Sequence, residues 1–421
     1  MSDIEVRRHR LANGLRIVHS PDPYTAMAAV NVLYNVGSRD ERRSLTGIAH
    51  LFEHLMFGGS ANVGDFDGIL EGAGGHSNAW TSPDFTNFYD ALPAVNLETA
   101  LFLESDRMTA PSLSERALAV QRGVVIEEFK QQCLDRPYGD LWHRLRALCY
   151  GPDNAYSWPT IGLEPDHVAR VTEADAKQWF YSHYAPNNAV LAITGGVDFD
   201  RACRAAEHWF ADVPARDIAP LQMPEHGFPA EAVIEKVEGN VPCPLVLVAF
   251  PMAAYGEEGY FAADTITDIL SAGRASRLRQ NVVNGCGYGL VSDADASIIG
   301  SEGPGLLLMT ARLTTTDGDA VERVRDMLIA EGRALAAPGN LSRYELERTL
   351  NNFEMSHRTA NSGYLALASN LALAELHGED INRTVADRRR LTTADIAHTA
   401  TAIYADSPSA TLAYIPAGGH A

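Results

Sequence analysis

Cysteine is scarce in this chain and badly placed for cross-linking. Cys133, Cys149, Cys203, Cys243 and Cys286 are an odd, widely spaced set with no CxxC pair. That excludes a disulfide framework or a cysteine-built zinc site and points to reduced thiols in a reducing compartment. Long apolar runs are also missing, and nothing approaches the roughly 18 residues a membrane-spanning helix needs. The start, MSDIEVRRHRLANGLRIVHS, lacks an apolar stretch followed by a cleavage site. A cytoplasmic protein is expected, or a periplasmic one if a leader has been removed. Positive charge is in deficit, with 34 Lys and Arg against 54 Asp and Glu and a net charge of −20. Such a balance argues against nucleic acid or an anionic membrane as partner, since both are held by basic patches. The local run RRHR at 7–10 reads as a solvated strand edge. No GxSxG elbow is present, and the glycine runs EGAGGHS and ITGGVD lack the spacing that phosphate binding requires, so they read as turns.

What remains is a folded protein with 46% hydrophobic residues, too long at 421 residues for one core. LRIVHS and AMAAVNVLYNVGS have strand composition and lie between turn signals at Asn13-Gly14 and Pro21/Pro23. SLTGIAHLFEHLMFGGS has apolar residues at helical spacing, with Thr46 as expected N-cap and Gly58-Gly59 as stop. HSNAWTSPDFTNFYDAL returns to strand, NLETALFLESDRM and ERALAVQRGVVIEEFKQQ to helix, and NNAVLAITGGVD to a buried strand. A Pro-rich polar passage without apolar period serves as the expected linker, 215–230. The same order of elements then restarts with CPLVLVAFPM, GYFAADTITDILSAG, GPGLLLMTARL and DAVERVRDMLIAEGRAL. We therefore expect an α+β fold of two similar halves, 1–214 and 231–421, each a mostly antiparallel sheet packed against helices.

The chemistry concentrates in HLFEH, residues 50–54. On a helix, positions i and i+4 share a face, so His50 and His54 can offer two imidazole nitrogens to one ion. Glu53 stands beside them, placed to act as general base toward a metal-activated water. A catalytic zinc needs a third protein ligand, and the later helix offers Glu127 and Glu128. As neighbours they point about 100° apart, so only one of them can face the ion. Lone histidines such as His76 and His143 read as ordinary hydrogen-bonded residues.

HxxEH is the inverted form of the HExxH zinc motif. Together with NVGSRDE, GIAHLFEHLMFGGS, SNAWTS, TNFYDAL and GVVIEEF, it makes the chain resemble the pitrilysin and insulysin metallopeptidases, especially the short bacterial members and mitochondrial processing peptidase. TIGLEPDHVARVT and YAPNNAVLAITGGVD extend the likeness. The resemblance implies that the two halves together form one side of a clamshell. It also implies one zinc per chain held by His50, His54 and Glu128, with Glu53 as base. Family members often carry a second acid seven positions before the ligand glutamate; here that position is Gln121.

SNAWTS resembles the segment that forms an exposed edge strand, to which a peptide substrate adds by main-chain pairing. Asn78, Ala79 and Trp80 are the substrate-binding candidates there. Active relatives also carry an Arg and a Tyr seven residues apart in the C-terminal half or in a partner. In SAGRASRLRQNVVNGCGYGLVS, Tyr288 matches the tyrosine, but Asn281 occupies the arginine position. Losing one such oxyanion donor costs about a hundredfold or more in rate. The resemblance thus implies a heterodimer whose other subunit lacks HxxEH and supplies the pair, with a homodimer as fallback. A non-catalytic assembly or substrate-binding subunit is the rival expectation.

Overall fold

The computed structural model describes residues 3–220, 223, 227–300, 302–316 and 318–417. The expected linker therefore lies partly outside the described residues. The strands are β1 (Arg7–Arg10), β2 (Arg16–Pro21), β3 (Met27–Tyr34), β4 (His76–Thr81), β5 (Thr86–Pro93), β6 (Ala189–Gly195), β7 (Val233–Gly239), β8 (Leu245–Met252), β9 (Val291–Ile299), β10 (Gly305–Leu313) and β11 (Ala410–Pro416). They form two sheets, ordered β1-β2-β6-β3-β5-β4 and β7-β11-β8-β10-β9.

The two sheets repeat one plan. β2 runs parallel to β6 as β7 does to β11, and every other neighbour pair is antiparallel. β4 and β9 end their sheets in equivalent places. A helix follows the second strand of the repeat in both, Ile48–Leu55 after β3 and Tyr260–Ser271 after β8. Another helix precedes the last strand, Glu173–His183 before β6 and Thr393–Tyr404 before β11. Both of these open with a capping box, Thr172 with Asp175 and Thr392 with Asp395. The fold is thus the expected α+β pair of sheets packed against helices.

The halves 1–214 and 231–421 each hold one sheet, yet the compact units are discontinuous in sequence. One unit comprises 1–129, 159–222 and 356–385; the other comprises 130–158, 223–355 and 386–421. Hydrophobic cover explains the exchange. In the first unit, Ile17, Val30, Val32, Phe88 and Leu191 face the helices that carry Phe52, Leu101 and Phe180. The opposite sheet face, with Val18, Ala29, Leu33 and Val190, packs on Ala368, Leu371 and Ala372 of the helix Tyr364–His377. In the second unit, Leu245, Leu247, Leu308 and Leu412 are covered by Leu145 and Cys149 of the helix Leu141–Cys149. A sheet that is apolar on both faces needs cover on both, and each fully buried aliphatic side chain contributes about 1.5–3 kcal/mol.

Candidate active site

The helix Ile48–Leu55 divides its residues by face. Ile48, Ala49, Leu51, Phe52 and Leu55 are buried, while His50, Glu53 and His54 stay part-exposed. Its start differs from the expectation for Thr46. The N-cap is Gly47, at φ 87°, and Thr46 is buried one residue earlier, its hydroxyl bonded to His167 Nδ1 at 2.8 Å and to the Leu163 amide at 2.8 Å. Any side chain at Gly47 would meet the Ile161 carbonyl and Val168 at about 2.9 Å, and the left-handed φ there is one that glycine tolerates. The free amides are satisfied from outside the helix by the buried Glu41, whose Oε1 accepts from Gly47 N at 3.0 Å and Ala49 N at 2.9 Å.

Glu128 lies one residue from the end of the helix Glu115–Phe129, which passes into a π-helical turn at Lys130–Leu134. Its Oε2 is 3.5 Å from His54 Nε2 and 3.7 Å from His50 Nε2. One ligand atom from each of the three residues falls within 4.8 Å of the others. A tetrahedral zinc with bonds of about 2.0 Å has ligand edges of roughly 3.3 Å, so this donor set fits that ion with small adjustment. Two imidazoles and a carboxylate are also the ligand types zinc takes in catalytic sites.

The electrostatics favour a receptive site at neutral pH. Burial pushes the His50 imidazole down to about 4, against the pull of Glu128, so the ring is neutral and its lone pair available. A hydrogen bond from His54, aided by His50, holds Glu128 below the usual carboxylate range despite burial. Burial raises Glu53, opposed by the Thr81 hydroxyl and His54. A carboxylate shifted toward neutrality is suited to shuttle a proton.

Thr81, at the end of β4, donates its hydroxyl to Glu53 Oε2. Strand alternation explains the contact: Ala79 packs into the same core as the helix Ile48–Leu55, and Thr81 shares its face. Trp80 points the other way and packs against the Val18 and Leu33 cluster. Asn78 is exposed, with Oδ1 taken by the Ala79 amide at 2.8 Å. Sequence reasoning missed Thr81 and Glu41; the period-two pattern of SNAWTS was the available signal for the former.

Among the described residues β4 pairs only with β5, so its other edge is open. The remaining sheet edges carry charge that discourages strand addition: RRHR on β1, as the basic run predicts, Glu235, Lys236 and Glu238 on β7, and exposed Asp293 and Asp295 on β9. β4, HSNAWT, carries neither acid nor Lys or Arg.

The second unit holds the segment that corresponds to the Arg/Tyr stretch of active relatives. Tyr288 is 83% exposed in the turn before β9. Asn281 donates to Glu331 at 2.9 Å. Arg277 is buried and bonded to both oxygens of Glu345, at 2.7 and 2.9 Å, and to Asn340. Arg279 is exposed.

An inverted histidine-glutamate helix on a doubled α+β plan defines a metallopeptidase-type scaffold. The family model for insulinase (peptidase family M16) matches residues 16–136, and the model for the M16 inactive domain matches 170–353. The chain belongs to the M16 peptidase family, the insulinase and pitrilysin group. It is 31% identical over 284 residues to the zinc protease PqqE of Helicobacter pylori, an alignment covering 65% of this chain and 63% of that one. To the mitochondrial-processing peptidase subunit beta of Saccharomyces cerevisiae it is 28% identical, over 61% of this chain and 56% of the relative. The chain thus spans less than two thirds of either relative's length. A crystal structure of a protease from Helicobacter pylori superposes with a TM-score of 0.90 at 25% identity, covering 99% of this chain and 100% of the other. A peptidase M16 inactive domain from Pseudomonas fluorescens shares the fold, with a TM-score of 0.86 at 16% identity over 99% of each chain. Among the described residues no helix is long and apolar enough to cross a membrane.

Proposed function

We propose that this chain is a zinc-dependent endopeptidase of oligopeptides or unfolded segments, with one zinc per chain. The observation that carries the reading is the convergence of His50, His54 and Glu128 to within 4.8 Å with Glu53 alongside. Zinc, when bound, supplies the Lewis acidity that makes water a nucleophile near neutral pH. Glu53 takes the proton from the attacking water and returns it to the departing amine. The uncharged open edge of β4 pairs with the substrate backbone through residues 78–80, which makes cleavage tolerant of side chains.

The chain acts as the zinc-bearing subunit of a heterodimer whose related partner lacks HxxEH and provides the arginine and tyrosine. Supporting this, Asn281 stands where the arginine is expected, and Arg277 is committed to Glu345 and Asn340. The homodimer, with Tyr288 and another arginine, is the fallback. The same observations favour a second reading, a substrate-binding or assembly subunit without catalysis. The free cysteines support a cytoplasmic setting, with the periplasm as the alternative.

Hydrolysis of a quenched fluorescent peptide library by the purified chain, with metal content measured on the same sample, tests the reading. Cleavage by the chain alone that disappears in Glu53→Gln while zinc stays near one per chain would establish a zinc peptidase that needs no partner. Bound zinc without cleavage favours the incomplete or non-catalytic subunit. Absence of bound zinc overturns the assignment.

A further inference from the structure

The metal-site glutamate is tied to the strand on which the substrate is to be laid. Glu53 leaves the helix Ile48–Leu55 and its Oε2 accepts from Thr81 Oγ1, on the last residue of β4. We propose that Thr81 is a positioning residue for Glu53: its hydroxyl locks one carboxylate oxygen so that the other is presented to the attacking water. This inference rests on the peptidase reading and adds to it a residue that neither the ligand set nor the HxxEH motif contains.

Three features carry the proposal. A glutamate has three side-chain torsions and gives up rotamer freedom when fixed, so something must hold it. Thr81 is well suited to do so, because a β-branched side chain in a strand is stiff at χ1 and its hydroxyl direction is set by the backbone. Among the described residues the strand is registered on one side only, Thr81 opposite Thr86 and Asn78 opposite Tyr89, with the far edge open. A peptide added to that edge stiffens β4, and through Thr81 it steadies Glu53. Substrate occupancy and base orientation are thereby joined by one hydrogen bond.

The role differs from that of a ligand or a core residue. Removing the hydroxyl leaves the three metal donors in place and the strand pairing intact. What changes is the direction of one carboxylate, and a displacement of about 1 Å at a reacting group is worth on the order of a hundredfold in rate.

The test compares wild type with Thr81→Val, which keeps the shape without the hydroxyl, and Thr81→Ser, which restores the hydroxyl. Crystal structures of the zinc-loaded proteins give a readout independent of activity. The Glu53 carboxylate is expected to turn away from β4 in Thr81→Val and to return in Thr81→Ser. In the peptide assay, kcat should fall about tenfold to a hundredfold in Thr81→Val, with KM within about twofold and zinc still near one per chain. Should Thr81→Val fold poorly, Thr81→Ala serves the same comparison. A Glu53 carboxylate unmoved in Thr81→Val overturns the proposal, as does loss of zinc in step with loss of rate. A wild-type chain that binds zinc but shows no Glu53-dependent cleavage points to the incomplete or non-catalytic subunit instead, and the crystallographic comparison then decides the role of Thr81 by itself.

Discussion

The two units follow the same strand order and place a helix at the same point, yet only one of those helices is prepared for chemistry. Ile48–Leu55 keeps His50, Glu53 and His54 on an accessible face, and its N-terminus is held by Glu41. Tyr260–Ser271 has no histidine and buries Tyr260, Ala262, Ala263, Thr265, Ile266, Thr267, Ile269 and Leu270. Arg388 takes up its polar side, accepted by Asp264 and donating to Thr265 Oγ1 at 3.0 Å. The edge strands diverge in parallel: β4 is uncharged and its Thr81 reaches Glu53, whereas β9 exposes Asp293 and Asp295. One architecture thus carries a candidate site in one unit and packing in the other, as expected where function resides in a few side chains on a shared frame.

The largest expected effect comes from erasing that difference. Replacing His50, His54 or Glu128 by alanine removes one of three donors, and zinc content should fall from near one to near zero per chain by elemental analysis. Thr265→Ala on the equivalent helix should leave zinc content unchanged while lowering the unfolding midpoint.

Edge charge comes next. Asn78→Lys should weaken peptide cleavage mainly through KM, by about tenfold, since a lysine at an open edge opposes strand addition. Replacing both Asp293 and Asp295 by valine should make the chain self-associate, visible by light scattering, because it removes the guard from β9.

Glu41→Ala strands the Gly47 and Ala49 amides at the start of the metal-site helix. The expected cost is about 1–3 kcal/mol in denaturant unfolding, with weaker zinc binding in titration. The equivalent cap boxes offer a matched control: Thr172→Ala and Thr392→Ala should each cost about 1 kcal/mol.

A similar symmetry governs the acid limb of stability. Burial raises Asp40 in the first unit and Asp268 in the second to about 6. Each folded carboxyl holds its proton to higher pH than the unfolded chain does, so stability is highest below about pH 4 for these groups. It falls as pH rises through about 4–6, where the unfolded carboxyls ionise first. Burial drives His50 and His183 the opposite way, to about 4 each, so their contribution rises with pH between about 4 and 6.5. Asp40→Asn and Asp268→Asn should each remove part of the loss seen on raising pH, as measured by unfolding midpoints across pH 4–7.

The repeat itself was legible in the sequence. β-rich runs, helical apolar spacing and the restart after the Pro-rich passage foretold both sheets, and HLFEH with EEF contains the residues that the structure brings together as a candidate ligand group. Helix exchange was not legible, since the apolar faces of Leu141–Cys149 and Tyr364–His377 do not say which sheet they cover. Thr46 looked like a cap by position, but tertiary contacts with His167 and Leu163 claimed its hydroxyl, and Glu41 took over from six residues upstream of Gly47. Thr81 escaped for the same reason: its partner is 28 residues away in sequence.

The most direct test of the difference between the units is anomalous diffraction at the zinc edge from crystals of the zinc-loaded chain. One peak between His50 Nε2, His54 Nε2 and Glu128 Oε2, with none beside the Tyr260–Ser271 helix, is the predicted result. Zinc elsewhere, or no peak among those three side chains, would contradict the assignment of the site to the first unit.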